Sequence, residues 1–173
     1  MNIVEATDAD LSDVLSVERA AFGQEDEARL TAALLQDPTA APCLSLLAYV
    51  DGRPAGHILF TKATLRETAS DVPAALLAPM AVVPAHQRRG IGRALIQAGI
   101  ERLTRSGIQL VFVLGHPDYY TGSGFEPAVP RGLLPPYPID PEEAWMVRRL
   151  GNADVRGRVA CAACLDRPEY WRE

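Results

Sequence analysis

The sequence predicts an α/β fold of the α+β type, in which a central, mixed and mostly antiparallel sheet is flanked by helices. Three observations carry this. Apolar segments of strand length alternate with amphipathic segments of helical length along the chain. Asp51-Gly52 stands between two apolar runs as a two-residue hairpin signal, which makes that strand pair antiparallel. The run 108–114 is almost wholly apolar, as expected of a strand covered on both faces.

Taken in order, residues 2–6 read as a short strand. Thr7-Asp8-Ala9-Asp10 then supplies an N-cap hydroxyl and early helical carboxylates. The first helix, with Leu11, Val14, Leu15 and Phe22 near one face, ends near Gly23. Residues 25–35 form a second helical segment, stopped by Asp37-Pro38. The hairpin strands are 43–50 and 54–61; a loop around Thr68 to Val72 leads to a strand over 75–83. A helix follows over 89–106, with Ile91, Leu95, Ala98 and Leu103 turned inward, and Gly107 breaks it. Beyond the strand 108–114, Gly115-His116-Pro117 opens a short helical turn carrying Tyr119 and Tyr120. Gly124-Phe125 and a proline-rich connection lead to final strands at 143–150 and 155–165. The order is β-α-α-β-β-β-α-β-α-β-β.

A chain of 173 residues that is 48% hydrophobic can bury a full core, and with no second composition regime it reads as one domain over 1–173. No apolar run approaches the ~20 residues of a membrane span, and no signal-peptide pattern opens the chain. A cytoplasmic protein with no membrane partner is therefore expected. The formal net charge of −5 argues against a nucleic-acid partner and is compatible with a cationic acceptor. Cys43, Cys161 and Cys164 make no disulfide framework. Cys161 and Cys164 have the spacing of half a zinc site, but on a strand residues three apart face opposite ways, so no metal is expected.

The chemistry is concentrated between Met80 and Leu95. An apolar strand ends at Pro84, and a glycine-punctuated turn, Gln87-Arg88-Arg89-Gly90-Ile91-Gly92, opens an amphipathic helix. The first N–H groups of a helix lack intrahelical partners and, with the helix dipole, attract an anion. Gly90 and Gly92 let ligand oxygens approach the main chain, while Arg88, Arg89 and Arg93 add positive charge. A nucleotide P-loop would need Lys-Ser or Lys-Thr after Gly92, where Arg93-Ala94 stands, and a dinucleotide fingerprint would need a third glycine.

This segment resembles the Gln/Arg-x-x-Gly-x-Gly/Ala motif of the GNAT superfamily of acetyl-CoA-dependent N-acetyltransferases. A second block, Val113-Leu114-Gly115-His116-Pro117-x-Tyr119-Tyr120-x-x-x-Gly124-Phe125-x-Pro127, is similar to the bacterial YhbS-like branch of that superfamily. The resemblance implies the GNAT acyltransferase fold, with its sheet splayed at the strand pair that receives the cofactor. It implies acetyl-CoA as co-substrate, its pantetheine arm pairing with the backbone of Met80, Ala81 and Val82. Its pyrophosphate would be cradled by Gln87, Arg88, Arg89, Gly90, Ile91, Gly92 and Arg93. Tyr120, four residues before Gly124, takes the position of the tyrosine that protonates the departing thiolate. Glu25, His57 and His116 are candidates for contact with the acceptor, set against plainer readings as a solvated cap, a core histidine and a turn-stabilising residue. The implied reaction is transfer to a primary amine of a small molecule or a protein, by direct attack in a ternary complex; no cysteine lies within the motifs to carry the acyl group. A non-catalytic acyl-CoA sensor of the same fold, or a transferase using a longer acyl-CoA, stands as the alternative, and a homodimer is left open.

Overall fold

The computed structural model describes residues 1–66 and 71–172. Strand β1 (Asn2–Glu5) leads through a 3-10 turn to helix α1 (Leu11–Phe22), and α2 (Asp26–Gln36) follows. Thr7 and Asp10 form the capping box ahead of α1, with the Thr7 N–H donating to Asp10 Oδ2 at 2.8 Å. Gly23 ends α1 in the left-handed region at φ 68°, a conformation glycine adopts without steric cost.

Strands β2 (Leu44–Val50) and β3 (Arg53–Leu65) form the expected hairpin, with Asp51 and Gly52 at φ 51° and 75°. β4 (Ala74–Val82), α3 (Ile91–Arg105), β5 (Leu110–Leu114) and the short helix α4 (Pro117–Thr121) complete the central part. Of the loop expected around Thr68 to Val72, residues 68–70 lie outside the described residues. The chain closes with β6 (Glu126–Pro127), β7 (Leu133–Leu134), β8 (Trp145–Arg149) and β9 (Gly157–Ala160). The sheet order is β1-β2-β3-β4-β5-β8-β6, antiparallel throughout except for the parallel β4/β5 pair, while β9 joins the distal end of β3 and pairs with β7.

Three expectations are corrected. The last strand stops at Ala160, because Ala163–Leu165 turns into a 3-10 helix; Cys161 and Cys164 therefore do not share a strand. The proline-rich connection, to which the sequence assigns no strand, contains β6 and β7. In α1, Phe22 is exposed while Val14, Val17 and Glu18 are buried, so the inner face is rotated from the one expected.

Alternation along the strands sorts the core into two layers. Leu46, Ile58, Phe60, Leu77, Val111 and Val113 pack with Ile91, Leu95, Ile96 and Ile100 of α3. On the other face Leu59, Leu76, Phe112, Trp145 and Val147 pack with Leu34 of α2, while Val14 and Val17 of α1 meet Leu47 and Ala81. Gly99 lets α3 lie directly on the Phe60 ring, which a side chain there would strike.

One irregularity positions the site. Phe60 pairs with Leu77 but Ile58 pairs with Met80, so Ala78 and Pro79 together oppose Leu59. This bulge reverses the alternation of β4: Ala78 packs on the α2 face, while Met80 and Val82 turn to the α3 face.

Candidate active site

β4 pairs with β5 only from Ala74 to Leu77, so beyond the bulge its edge on that side has no strand partner in β5. Its other edge stays paired, Met80 with Ile58, Ala81 with His57 and Val82 with Gly56. The sheet thus opens at the β4/β5 pair, leaving the β5-side edge of Met80 to Val82 open to an extended ligand except at the Val82 carbonyl, which Gln87 occupies.

The turn after β4 continues this edge. Gln87 Nε2 donates to the Val82 carbonyl at 3.1 Å, tying the turn to the strand end. Arg88 and Gly90 both adopt positive φ, at 63° and 82°, which directs the chain into α3. Gly90 is the N-cap and offers no side chain to the first helical N–H groups. These groups and the exposed Arg88 and Arg93 border a cavity of about 560 Å³, while Arg89, also exposed, lies in the same turn outside its lining. Its lining includes Met80, Val82, Gln87, Gly92 and Tyr119. Such a surface suits a phosphate group joined to an extended arm.

Within this cavity, Gly92 is buried and faces the Tyr119 hydroxyl; a Cβ at Gly92 would collide with that oxygen and approach Met80 Cε to 3.4 Å. Arg93 lies over the Tyr119 ring, its Cζ 6.0 Å from the centroid. Ala81, buried, faces α1 on the opposite side of the sheet.

Tyr120 packs on Gly115, where a Cβ would strike its ring, and meets Tyr119 and Phe125 edge-on at centroid distances of 5.0 and 5.6 Å. Burial, and to a lesser degree the neighbouring Tyr119, push the Tyr120 hydroxyl above the ordinary phenol range. Burial also raises Tyr119, opposed by the charge of Arg93. Both phenols are thus proton donors at neutral pH.

The acceptor candidates fall in separate places. His116 is the exposed N-cap of α4, its carbonyl accepting from Tyr119 and Tyr120 N–H at 3.1 and 3.2 Å. Glu25 is exposed before α2 and pairs with Arg19 at 2.8 Å. His57 is fully buried behind β4, between Ser45 and Glu18.

Sequence reasoning missed Glu18, Ser45 and two parts of the cavity wall. Tyr119 packs against the α3-side core, and its hydroxyl also reaches Gly92. His86 is half-buried and lines the cavity. The signal for Tyr119 was available: adjacent residues on a helical turn diverge, so one of a Tyr-Tyr pair can face the core while the other reaches the turn at α3. Among the described residues no group of three or more His, Cys, Asp or Glu is placed to hold a metal, and no helix is long and apolar enough to cross a membrane.

The model of the acetyltransferase (GNAT) family matches residues 10–123. The uncharacterized N-acetyltransferase YjhQ of Escherichia coli K12 is 47% identical over 160 residues, covering 89% of this chain and 88% of that protein. The crystal structure of the GNAT family N-acetyltransferase YhbS from Escherichia coli, in complex with CoA, superposes with a TM-score of 0.86 at 28% identity, covering 96% of this chain and 92% of that one. A GNAT family acetyltransferase from Brucella melitensis, in complex with acetyl-CoA, superposes with a TM-score of 0.77 at 27% identity, over 95% of this chain and 97% of that one. With the opened sheet and the glycine-arginine turn at the start of α3, these similarities establish that the chain belongs to the GNAT family of acetyltransferases and is an acyltransferase.

Proposed function

We propose that the protein transfers an acetyl group from acetyl-CoA to a primary amine of a small molecule or a protein, by direct attack within a ternary complex. The observation that carries this is the continuity between the unpaired β4 edge at Met80 to Val82 and the cavity at the start of α3. The YhbS and Brucella melitensis relatives were solved with CoA and acetyl-CoA respectively. The residues here fit that ligand. A strand edge suits an amide-bearing arm, and the N–H groups from Ile91 onward with Arg88, Arg89 and Arg93 suit a pyrophosphate.

Bound acetyl-CoA supplies an activated thioester. The protein holds it beside the amine, and positioning of two reactants removes several kcal/mol from the barrier. Backbone groups beyond the bulge orient the acyl end. Tyr120, kept protonated by burial, supplies the proton that the departing sulfur needs. Tyr119, its ring beneath Arg93, lines the cavity between that donor and the phosphate cradle.

Calorimetric titration with acetyl-CoA tests the reading, with Gly92→Glu as control because it places bulk and negative charge under Tyr119. Binding by the wild type that is lost in the variant is the expected outcome. No binding by the folded wild type overturns the proposal. Comparison of acetyl-, propionyl- and succinyl-CoA then fixes the acyl group, and a screen of amines the acceptor.

A further inference from the structure

On the α1 face of the sheet, three polar side chains meet inside an apolar layer. Ser45 Oγ of β2 lies 2.8 Å from His57 Nε2 of β3, and His57 Nδ1 lies 2.7 Å from Glu18 Oε1 of α1. Glu18 and His57 have no exposed surface, and Ser45 is 7% exposed. Val14, Val17, Leu47 and Ala81 pack on this same face. Burying ionisable groups costs several kcal/mol each, so hydrogen bonding must offset it or a task must justify it. Here the hydrogen bonding is incomplete. Glu18 Oε2 is buried with no hydrogen-bond partner among the described residues.

Location gives that spare oxygen its meaning. His57 is the register partner of Ala81, next to the Ile58/Met80 pair, so the array backs the part of β4 just past the bulge. That is the segment along which the proposed thioester lies. The ionisable groups around Glu18 are few. α2 brings Glu27, whose charge joins burial in pushing the Glu18 carboxyl up, while His57 pulls it down. Asp13 of α1 is engaged by the Tyr49 hydroxyl of β2 at 2.7 Å, and β4 contributes no ionisable side chain.

The order Ser-His-Glu matches a hydrolytic triad, but size decides against that use. The cavity beside Ser45, lined by Thr7, Leu11, Val14, Leu35 and Gln36 among others, measures about 110 Å³. At roughly 30 Å³ per water it holds a few waters and no thioester with its pantetheine arm. Ser45 can therefore exchange protons with that cavity but cannot receive an acyl group from CoA there.

We propose that the Glu18–His57 pair, oriented by Ser45, takes up the proton that the acceptor ammonium must lose before it attacks. The inference rests on the N-acetyl transfer reading above. The ammonium gives one proton to the pair by way of Ser45, which lines the adjacent cavity and bonds His57, and the pair passes from singly negative to neutral. The neutral amine attacks the acetyl carbon; the C–N bond forms as the C–S bond breaks, Tyr120 protonates the departing sulfur, and the proton then shed by the nitrogen restores Tyr120. The pair's proton returns to solvent through Ser45 and the cavity beside it.

The test uses the full-length protein with two acetyl acceptors. A primary alkylamine is charged at neutral pH and must be deprotonated, whereas hydroxylamine is already neutral. Glu18→Gln preserves shape and can still accept from His57. It is expected to lower kcat/KM for the alkylamine about a hundredfold or more at neutral pH. Hydroxylamine turnover and acetyl-CoA affinity should stay near the wild-type values, and the alkylamine deficit should shrink as pH approaches the amine's own pKa. An equal loss with both nucleophiles, or a loss independent of pH, assigns the array a purely structural role and overturns the proposal. Failure of the wild type to bind acetyl-CoA overturns instead the reading beneath it. Nitrogen NMR of His57 in the wild type decides the matter if the variant does not fold or neither probe is used. A neutral ring carrying its proton on Nδ1 at neutral pH is expected. An imidazolium there has no capacity for another proton and overturns the proposal.

Discussion

The Tyr119 hydroxyl lies against the Cα of Gly92, so close that even a methyl group on that glycine would collide with it. The contact joins α4 to the first turn of α3 and sets the depth of the cavity between them. Gly92→Ala is expected to displace Tyr119 and weaken acetyl-CoA binding about tenfold, equivalent to roughly 1.4 kcal/mol. Tyr119→Phe removes only the colliding oxygen. The double variant should therefore bind better than the sum of the single effects predicts, because residues in contact are coupled. Calorimetry on the four proteins checks this; strict additivity would mean the contact plays no part in binding.

Tyr120 differs from its neighbour in what surrounds it. Its ring is fixed by Gly115 and Phe125, so Tyr120→Phe retains the packing and removes only the proton donor. We expect kcat to fall by about a hundredfold with acetyl-CoA affinity little changed. Because burial raises the Tyr120 hydroxyl, the protonated form persists above the ordinary phenol value near ~10. The wild-type rate should accordingly show no alkaline decline from this group below about pH 10. A decline near pH 8 that disappears in Tyr120→Phe would contradict the assignment.

The far side of the core makes a different demand. Trp145 is fully buried, stacked on Phe112 at 5.2 Å and met edge-on by Trp171 at 5.5 Å, and its indole N–H donates to the Leu133 carbonyl at 3.1 Å. Truncation to alanine leaves a large cavity and costs about 3–5 kcal/mol, a sizeable share of a domain's stability. Trp145→Ala should lower Tm by roughly 10 °C. Trp171, the other tryptophan, is also buried, so wild-type fluorescence should shift to longer wavelength only on unfolding. A Tm within about 2 °C of wild type would show that the stack contributes little.

What the sequence made legible and what it concealed differ in range. The Asp51-Gly52 hairpin, the α3 motif turn and the apolar β5 are each specified by neighbouring residues, and each stands where local pattern placed it. The bulge at Ala78 and Pro79 was not placed from the sequence: the resemblance implied a splayed strand pair without fixing the bulged residues, although Pro79 inside an otherwise apolar strand is the residue type a bulge accommodates. Glu18 was passed over because a glutamate in a helix reads as solvent-facing; its partner His57 is 39 residues away. The chain end was misread for the same reason. Residues 161–165 are apolar enough for a strand, but they turn to dock on Asp37 and Thr39, more than a hundred residues earlier.

That docking yields a pH dependence whose sign can be worked out. The Asp37 carboxylate accepts from the Thr39 N–H at 2.8 Å, the Thr39 hydroxyl at 2.7 Å and the Cys164 N–H at 3.1 Å. The hydrogen bonds from Thr39 and then Cys164 lower its pKa from 3.8 to about 2. A carboxyl depressed in the folded state binds fewer protons there than in the unfolded chain. Its contribution is therefore fully present above the unfolded value and is lost as pH falls from about 4 toward 2. Asp37→Asn keeps one acceptor oxygen but loses the charge. It should melt a few degrees below wild type at neutral pH, and the two melting curves should converge on acidification through that window. A gap that stays constant down to pH 2 would place the effect in side-chain shape instead of charge. Cys164→Ala retains the backbone N–H that Asp37 accepts but removes a thiol that also lowers the carboxyl, so it should shrink the convergence without abolishing it; complete loss would place the whole Cys164 contribution in the thiol.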